Sequence, residues 1–226
     1  AGAIYSTGEV NITNCEFINN TLTHTNAEGG ALRLINNTTN IINSNFTENR
    51  AVATNSSGGG AIYMQDGSLT IKASTFKSKK ATEKTALGGA IKGIYGNLVV
   101  TSTNFKDNVV NGTDYGIGGA INSLATGVYL NLSTIESNKA YGGVTSAAGA
   151  LYTQYAAVMA YSSVFKDNLA QSKTVMGGTI QGYYAFSNYV NCTFTKNMAK
   201  ATATNSFGGV IYYELGNLTV SSCRFN

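Results

Sequence analysis

Hydrophobic and polar residues alternate along the chain at a period of two, and small-residue pairs break the alternation at regular intervals. One stretch displays the unit. After Gly59-Gly60 come Ala61-Ile62-Tyr63, then Leu69 and Ile71 two apart, then Ser74 and Phe76 two apart, then Ala81. Residues two apart share one face of a strand. The small-residue step recurs as Gly29-Gly30-Ala31-Leu32, Gly59-Gly60-Ala61-Ile62, Gly88-Gly89-Ala90-Ile91 and Gly118-Gly119-Ala120-Ile121. It continues as Ala148-Gly149-Ala150-Leu151, Gly177-Gly178-Thr179-Ile180 and Gly208-Gly209-Val210-Ile211, and the chain opens inside a further copy, Ala1-Gly2-Ala3-Ile4. Three short strands with corners, in a repeat of about thirty residues, match one turn of a parallel β-helix. The repeated glycine pairs and β-branched residues oppose a helical reading.

The anchors Phe17, Phe46, Phe76, Phe105, Ile135, Phe165, Phe194 and Phe225 are spaced 29, 30, 29, 30, 30, 29 and 31 apart. From the second glycine to the anchor the distance is 16 in every copy but the first, where it is 15. Length variation therefore falls between the anchor box and the next glycine pair. Those segments, such as 52–58 and 200–207, are polar and read as loops. Columns of equivalent residues are alike. Two after the second glycine stand Ile4, Leu32, Ile62, Ile91, Ile121, Leu151, Ile180 and Ile211. Two before the anchor stand Cys15, Ser44, Ser74, Thr103, Ser133, Ser163, Cys192 and Cys223. Three after it stand Asn20, Asn49, Lys79, Asn108, Asn138, Asn168 and Asn197, an expected amide ladder along the axis.

The expected fold is all-β, a right-handed parallel β-helix with about eight coils. Residues 1–226 form a single solenoid, with coils starting near Gly2, Gly30, Gly60, Gly89, Gly119, Gly149, Gly178 and Gly209. The hand follows the crossover preference of parallel strands. The chain starts and stops within repeats and reads as an uncapped piece of a longer protein.

Gly-Gly-Ala-(Ile/Leu) followed by Phe-x-x-Asn resembles the paired signature of the chlamydial polymorphic outer-membrane protein repeats, also known in large surface proteins of some protists. The boxes here are Phe17-Ile18-Asn19-Asn20, Phe46-Thr47-Glu48-Asn49, Phe105-Lys106-Asp107-Asn108, Phe165-Lys166-Asp167-Asn168 and Phe194-Thr195-Lys196-Asn197. Phe76-Lys77-Ser78-Lys79 departs by losing the Asn, and Ile135-Glu136-Ser137-Asn138 by losing the aromatic. The resemblance implies an extracellular, surface-exposed segment used in adhesion or as a coat. Its partners would be other coils or protomers of the same large protein, and host or matrix glycans and proteins.

Composition narrows the chemistry. Only 12% of residues are charged, about half the usual fraction, and the net charge is +4. The lysines, Lys77, Lys79 and Lys80 among them, are scattered without interleaved aromatics, so nucleic acid is not expected as a partner. No apolar run approaches the roughly 20 residues of a membrane span. His24, in a Thr/Asn segment with only Glu28 close by, reads as a solvated loop residue. The three cysteines lack metal spacing and read as buried thiols, with a Cys192–Cys223 bridge as the alternative. Among the acids, Glu48, Asp107 and Asp167 share a column interrupted by Ser78 and Ser137, with Lys106, Lys166 and Glu136 nearby. That pattern reads as alternating surface charge rather than the acid pair of a polysaccharide hydrolase. Neither a catalytic set nor a cofactor is therefore expected.

Two surface features stand out. The position after the aliphatic column holds Tyr5, Tyr63, Tyr152 and Tyr212, and reads as an outward face for partner or glycan contact, or as cross-coil pairs that support the sheet. Asn-x-Ser/Thr sequons are dense. Asn55 and Asn111 in the variable segments, with Asn11 and Asn19, are the glycosylation candidates. The leading reading is a non-enzymatic structural or adhesive rod segment. The alternative is a carbohydrate-binding or polysaccharide-degrading β-helix.

Overall fold

The computed structural model describes residues 1–203 and 205–226. Among the described residues every regular element is a strand, and the strands form three sheets of 13, 8 and 10 members. All pairings run parallel and join equivalent residues of successive turns. In the first sheet Ile4 pairs with Leu32, and the column continues through Ile62, Ile91, Ile121, Leu151, Ile180 and Ile211. These seven steps are seven turns of a β-solenoid; the expected eight coils counted the incomplete turn that begins at Gly209.

The second sheet consists of short strands centred on the anchor column. Its rings stack face to face along the axis, Phe17 on Phe46 at 4.6 Å, Phe46 on Phe76 at 4.7 Å and Phe76 on Phe105 at 5.0 Å. Ile135 interrupts the stack, which resumes from Phe165 to Phe194 at 4.9 Å and Phe225 at 4.8 Å. This spacing is the distance between hydrogen-bonded strands, so the backbone ladder sets the ring separation. The main core lies where the aliphatic columns of the first sheet meet these rings, and includes Leu32, Ile62, Ile71, Phe76, Phe105 and Leu130.

Each corner is made by a residue with positive φ. One column contains Asn14, Asn43, Ser102 and Ser162, and a second contains Asn19, Asp107, Ser137 and Asp167, all with φ between 46° and 56°. Short side chains that bond locally tolerate this left-handed conformation best. The first glycine of each pair also has positive φ, but Ala148 takes that place at φ 54°. A Cβ on the first glycine would also crowd a carbonyl of its own coil, as Gly59 would that of Ile62 at 1.9 Å, whereas the second glycine is held by contact alone. A Cβ on Gly30, Gly60, Gly89 or Gly119 would stand 2.0–2.2 Å from the carbonyl oxygen of the glycine in the next coil. Close backbone approach, rather than φ, keeps that column glycine.

The third sheet corrects the reading of the variable segments. In the earlier coils they are strands, as in Arg50–Gly58, Lys80–Leu87 and Val109–Ile117, with extra residues absorbed as shifts in register, between Glu83 and Thr85 for example. In later coils each is two short strands, such as Lys139–Gly142 and Thr145–Ala147. A bulge accommodates an inserted residue without ending the pairing. Within the 200–207 segment, Thr204 lies outside the described residues.

Candidate functional surface

The tyrosine column that the sequence directs outward is largely occupied by its own neighbours. Tyr5 is 58% exposed, but Tyr63 is only 3% exposed, which corrects its assignment to an open face. The reason is a stack in which rings and cations alternate from coil to coil. The Arg33 guanidinium lies 5.3 Å from the Tyr5 ring centroid and 5.6 Å from that of Tyr63, and Lys92 Nζ lies 5.6 Å from Tyr63 on the other side. Arg33 Nε also donates to Glu28 at 2.9 Å. Burial raises the Tyr63 phenol far above its usual range. Tyr152 and Tyr212 are half-buried. Three hydroxyls of this column donate to a side chain two residues on: Tyr63 to Gln65 at 3.0 Å, Tyr152 to Gln154 at 3.0 Å and Tyr212 to Glu214 at 3.2 Å.

The amide ladder is present in detail. Asn20 Nδ2 donates to Asn49 Oδ1 at 2.8 Å, Asn108 to Asn138 at 2.8 Å, Asn138 to Asn168 at 3.0 Å and Asn168 to Asn197 at 3.0 Å. Each amide also ties the turn to the coil before it, as Asn138 does through the Phe105 carbonyl at 3.0 Å. Lys79 breaks the series. It is 1% exposed rather than a surface charge, and its Nζ donates to the carbonyls of Phe46 and Lys77. Burial pushes this amine down to about 6, with Glu48 pulling weakly the other way.

The small-residue column carries a second ladder. The N–H of Ser44 donates to Ser74 Oγ at 3.1 Å, that of Thr103 to Ser133 Oγ at 3.2 Å, and that of Cys192 to Cys223 Sγ at 3.3 Å. The three cysteines are free thiols. Cys192 is buried and Cys223 half-buried, but Cys15 is exposed, which corrects the expectation of three buried thiols.

The sequon asparagines Asn11, Asn19, Asn55 and Asn111 are all exposed. Asn55 and Asn111, read as loop residues, lie on the strands Arg50–Gly58 and Val109–Ile117, and Asn55 donates to Asn26 at 3.3 Å while Asn11 accepts from Asn40 at 3.0 Å. Asn111 borders a polar depression of about 520 Å³ with Tyr141 and Gln171. His24 is exposed on the strand Thr21–Glu28, beside Glu28 and Arg33.

Two charged features bear on catalysis. Lys106 Nζ meets Glu136 at 2.8 Å, and Lys166 meets Asp167 at 3.6 Å, so these acids are paired with cations. Glu83 is the exception. It is 5% exposed, and neither carboxylate oxygen has a hydrogen-bond partner. Burial raises this carboxyl to about 7, partly offset by neighbouring Ser57 and by the charge of Lys92. Among the described residues no three His, Cys, Asp or Glu side chains come together as a metal set.

The exposed aromatic surface includes Tyr155 and Tyr184, which belong to the tyrosines gathered in the C-terminal coils and align in a column of their own. Four residues after the aliphatic column come Asn36, Asp66, Tyr95, Ala125, Tyr155, Tyr184 and Leu215, each at positive φ. Tyr95, Tyr155 and Tyr184 are 58%, 55% and 44% exposed, and the rings of Tyr155 and Tyr184 stack at 5.4 Å. The fixed offset from the glycine pair was the available signal. Beside this corner, on the outer side of the first sheet, run two shallow depressions of about 200 and 270 Å³ that share Ala157 and Met159.

The fold and its ladders define a parallel β-solenoid of repeated coils. A model of the Chlamydia polymorphic membrane protein repeat matches residues 43–65, a stretch holding both Phe46-Thr47-Glu48-Asn49 and Gly59-Gly60-Ala61-Ile62. The likeness to that repeat drawn from the paired boxes is thereby borne out over these residues. No curated protein and no solved structure matches the chain.

Proposed function

We propose that the chain is a non-enzymatic segment of a cell-surface protein, an extracellular rod whose sides make adhesive or coat-forming contacts. The observation that carries this reading is the axial bonding. Amide and hydroxyl ladders run through successive coils beside the backbone pairing, which suits a stiff spacer. The name of the matched repeat family supports placement at a membrane surface. The turn is taken as right-handed from the general crossover preference. The cation-paired acids favour a structural surface over a hydrolase. The sequon asparagines are sites for glycans in a host that attaches them.

The test is immunolabelling with antibodies to the 226-residue chain on the cells that make it. Labelling of intact cells, removed by external protease, is the expected result. Labelling only after permeabilisation would overturn the reading. The alternative, carbohydrate binding, is favoured by the exposed corner tyrosines.

A further inference from the structure

We propose that the corner tyrosines and the groove beside them form a binding site for a neutral glycan chain lying along the solenoid axis. This deepens the adhesive part of the preceding reading and rests on it.

The first argument is conformational. A bulky residue at positive φ is an outlier, and holding one there costs on the order of 1–2 kcal/mol. The other two non-glycine corner columns are mostly Asn, Asp and Ser, and this one has Asn36 and Asp66 in its early coils. In later coils it carries Tyr95, Tyr155 and Tyr184 at φ 53°, 53° and 48°. These rings lie outside the core, and Tyr155 and Tyr184 pack at the surface on each other and on Tyr183. Backbone strain at exposed positions points to a role outside folding.

The second argument is the shape and chemistry of the neighbouring surface. Gly127 and Ala157 make a low floor, Tyr129 and Met159 border it, and Phe186 stands up at 63% exposure. No charged side chain lines either depression. Amides stand at intervals along it, Asn97 in one coil and Asn188 three coils on. Asn97 is exposed, and its amide can bond a ligand hydroxyl. Flat rings for sugar faces, amides for hydroxyls and an absence of charge describe a neutral saccharide site. The coil rise of about 4.8 Å is close to the length of one pyranose unit, so an extended chain would present similar groups to each coil.

The experiment uses the purified 226-residue chain with immobilised cellohexaose and chitohexaose, and with heparin as a charged comparison. Binding to at least one neutral hexasaccharide is expected. The double variant Tyr155→Asn/Tyr184→Asn should weaken it by at least about tenfold while leaving Tm unchanged or higher, because Asn suits positive φ. Tyr5→Asn, on the strand column, should leave binding intact. Binding to neither hexasaccharide, binding to heparin alone, unchanged affinity in the double variant, or a fall in its Tm would each overturn the proposal. The readout is on purified protein, so its failure would leave the surface placement, tested on intact cells, standing.

Discussion

The Nζ of Lys79 donates to the main-chain carbonyl of Phe46, the counterpart of an acceptor that an asparagine or asparagine-column amide reaches in five other coils. The substitution preserves one ladder contact and loses another. Asn20 and Asn108 each send their N–H to the amide oxygen of the next coil, but Lys79 has no acceptor for Asn49. An amine in this position also loses its hydration, and that outweighs the two carbonyl contacts, to Phe46 and Lys77, that it makes.

Lys79→Asn should therefore stabilise the solenoid, by about 1–3 kcal/mol at neutral pH. The pH dependence tests the cause. The folded amine titrates near 6 and the unfolded one near 10.5, so between these values the unfolded chain binds the extra proton. Stability should rise with pH across that window, and the penalty is complete below it. Urea unfolding at several pH values should show this slope in the parent and a flatter one in the variant.

Glu83 should act in the opposite sense at lower pH. Its folded pKa is raised from 4.5 to about 7, so the folded state holds the proton more tightly. The associated stability is fully present below pH 4.5 and is lost as pH rises through about 7. Glu83→Gln should remove that fall, seen as a flatter profile of Tm against pH in this interval.

The two glycines of a pair should respond differently to alanine. Gly118→Ala places a methyl at φ 69° and 2.3 Å from the Ile121 carbonyl oxygen, a conflict that the coil holding Ala148 at φ 54° accommodates, and should cost about 1–3 kcal/mol. Gly119→Ala puts Cβ 2.0 Å from the Gly149 carbonyl oxygen and forces two backbones apart. Its cost should exceed that of Gly118→Ala in denaturant unfolding, at the upper end of the roughly 1–3 kcal/mol of overpacking or beyond.

Thiol chemistry should separate the cysteines. Burial pushes Cys192 up to about 11, whereas Cys15 is open to solvent. Alkylation of the native protein should modify Cys15 first and Cys192 only after unfolding. The unfolded, unreduced protein should take up three labels, one at each free thiol; two missing labels would mark a Cys192–Cys223 bridge.

Sequence by itself determined the coil and its register. The spacing of Phe17, Phe46, Phe76 and Phe105, the constant step from Gly60 to Phe76, and the Asn column each describe contacts between a residue and its own counterpart one turn away. Such contacts repeat with the chain, so a period in the sequence becomes a column in space. Tertiary structure decided what depends on unlike neighbours. Arg33 and Lys92 cover Tyr63 because cations happen to follow rings in adjacent coils, and Lys79 is buried because it occupies an amide's place. The insertions at Glu83–Thr85 remain strands because a bulge costs less than ending the sheet. Exposure of Tyr155 and Tyr184 likewise follows from their place at a left-handed corner outside the core columns.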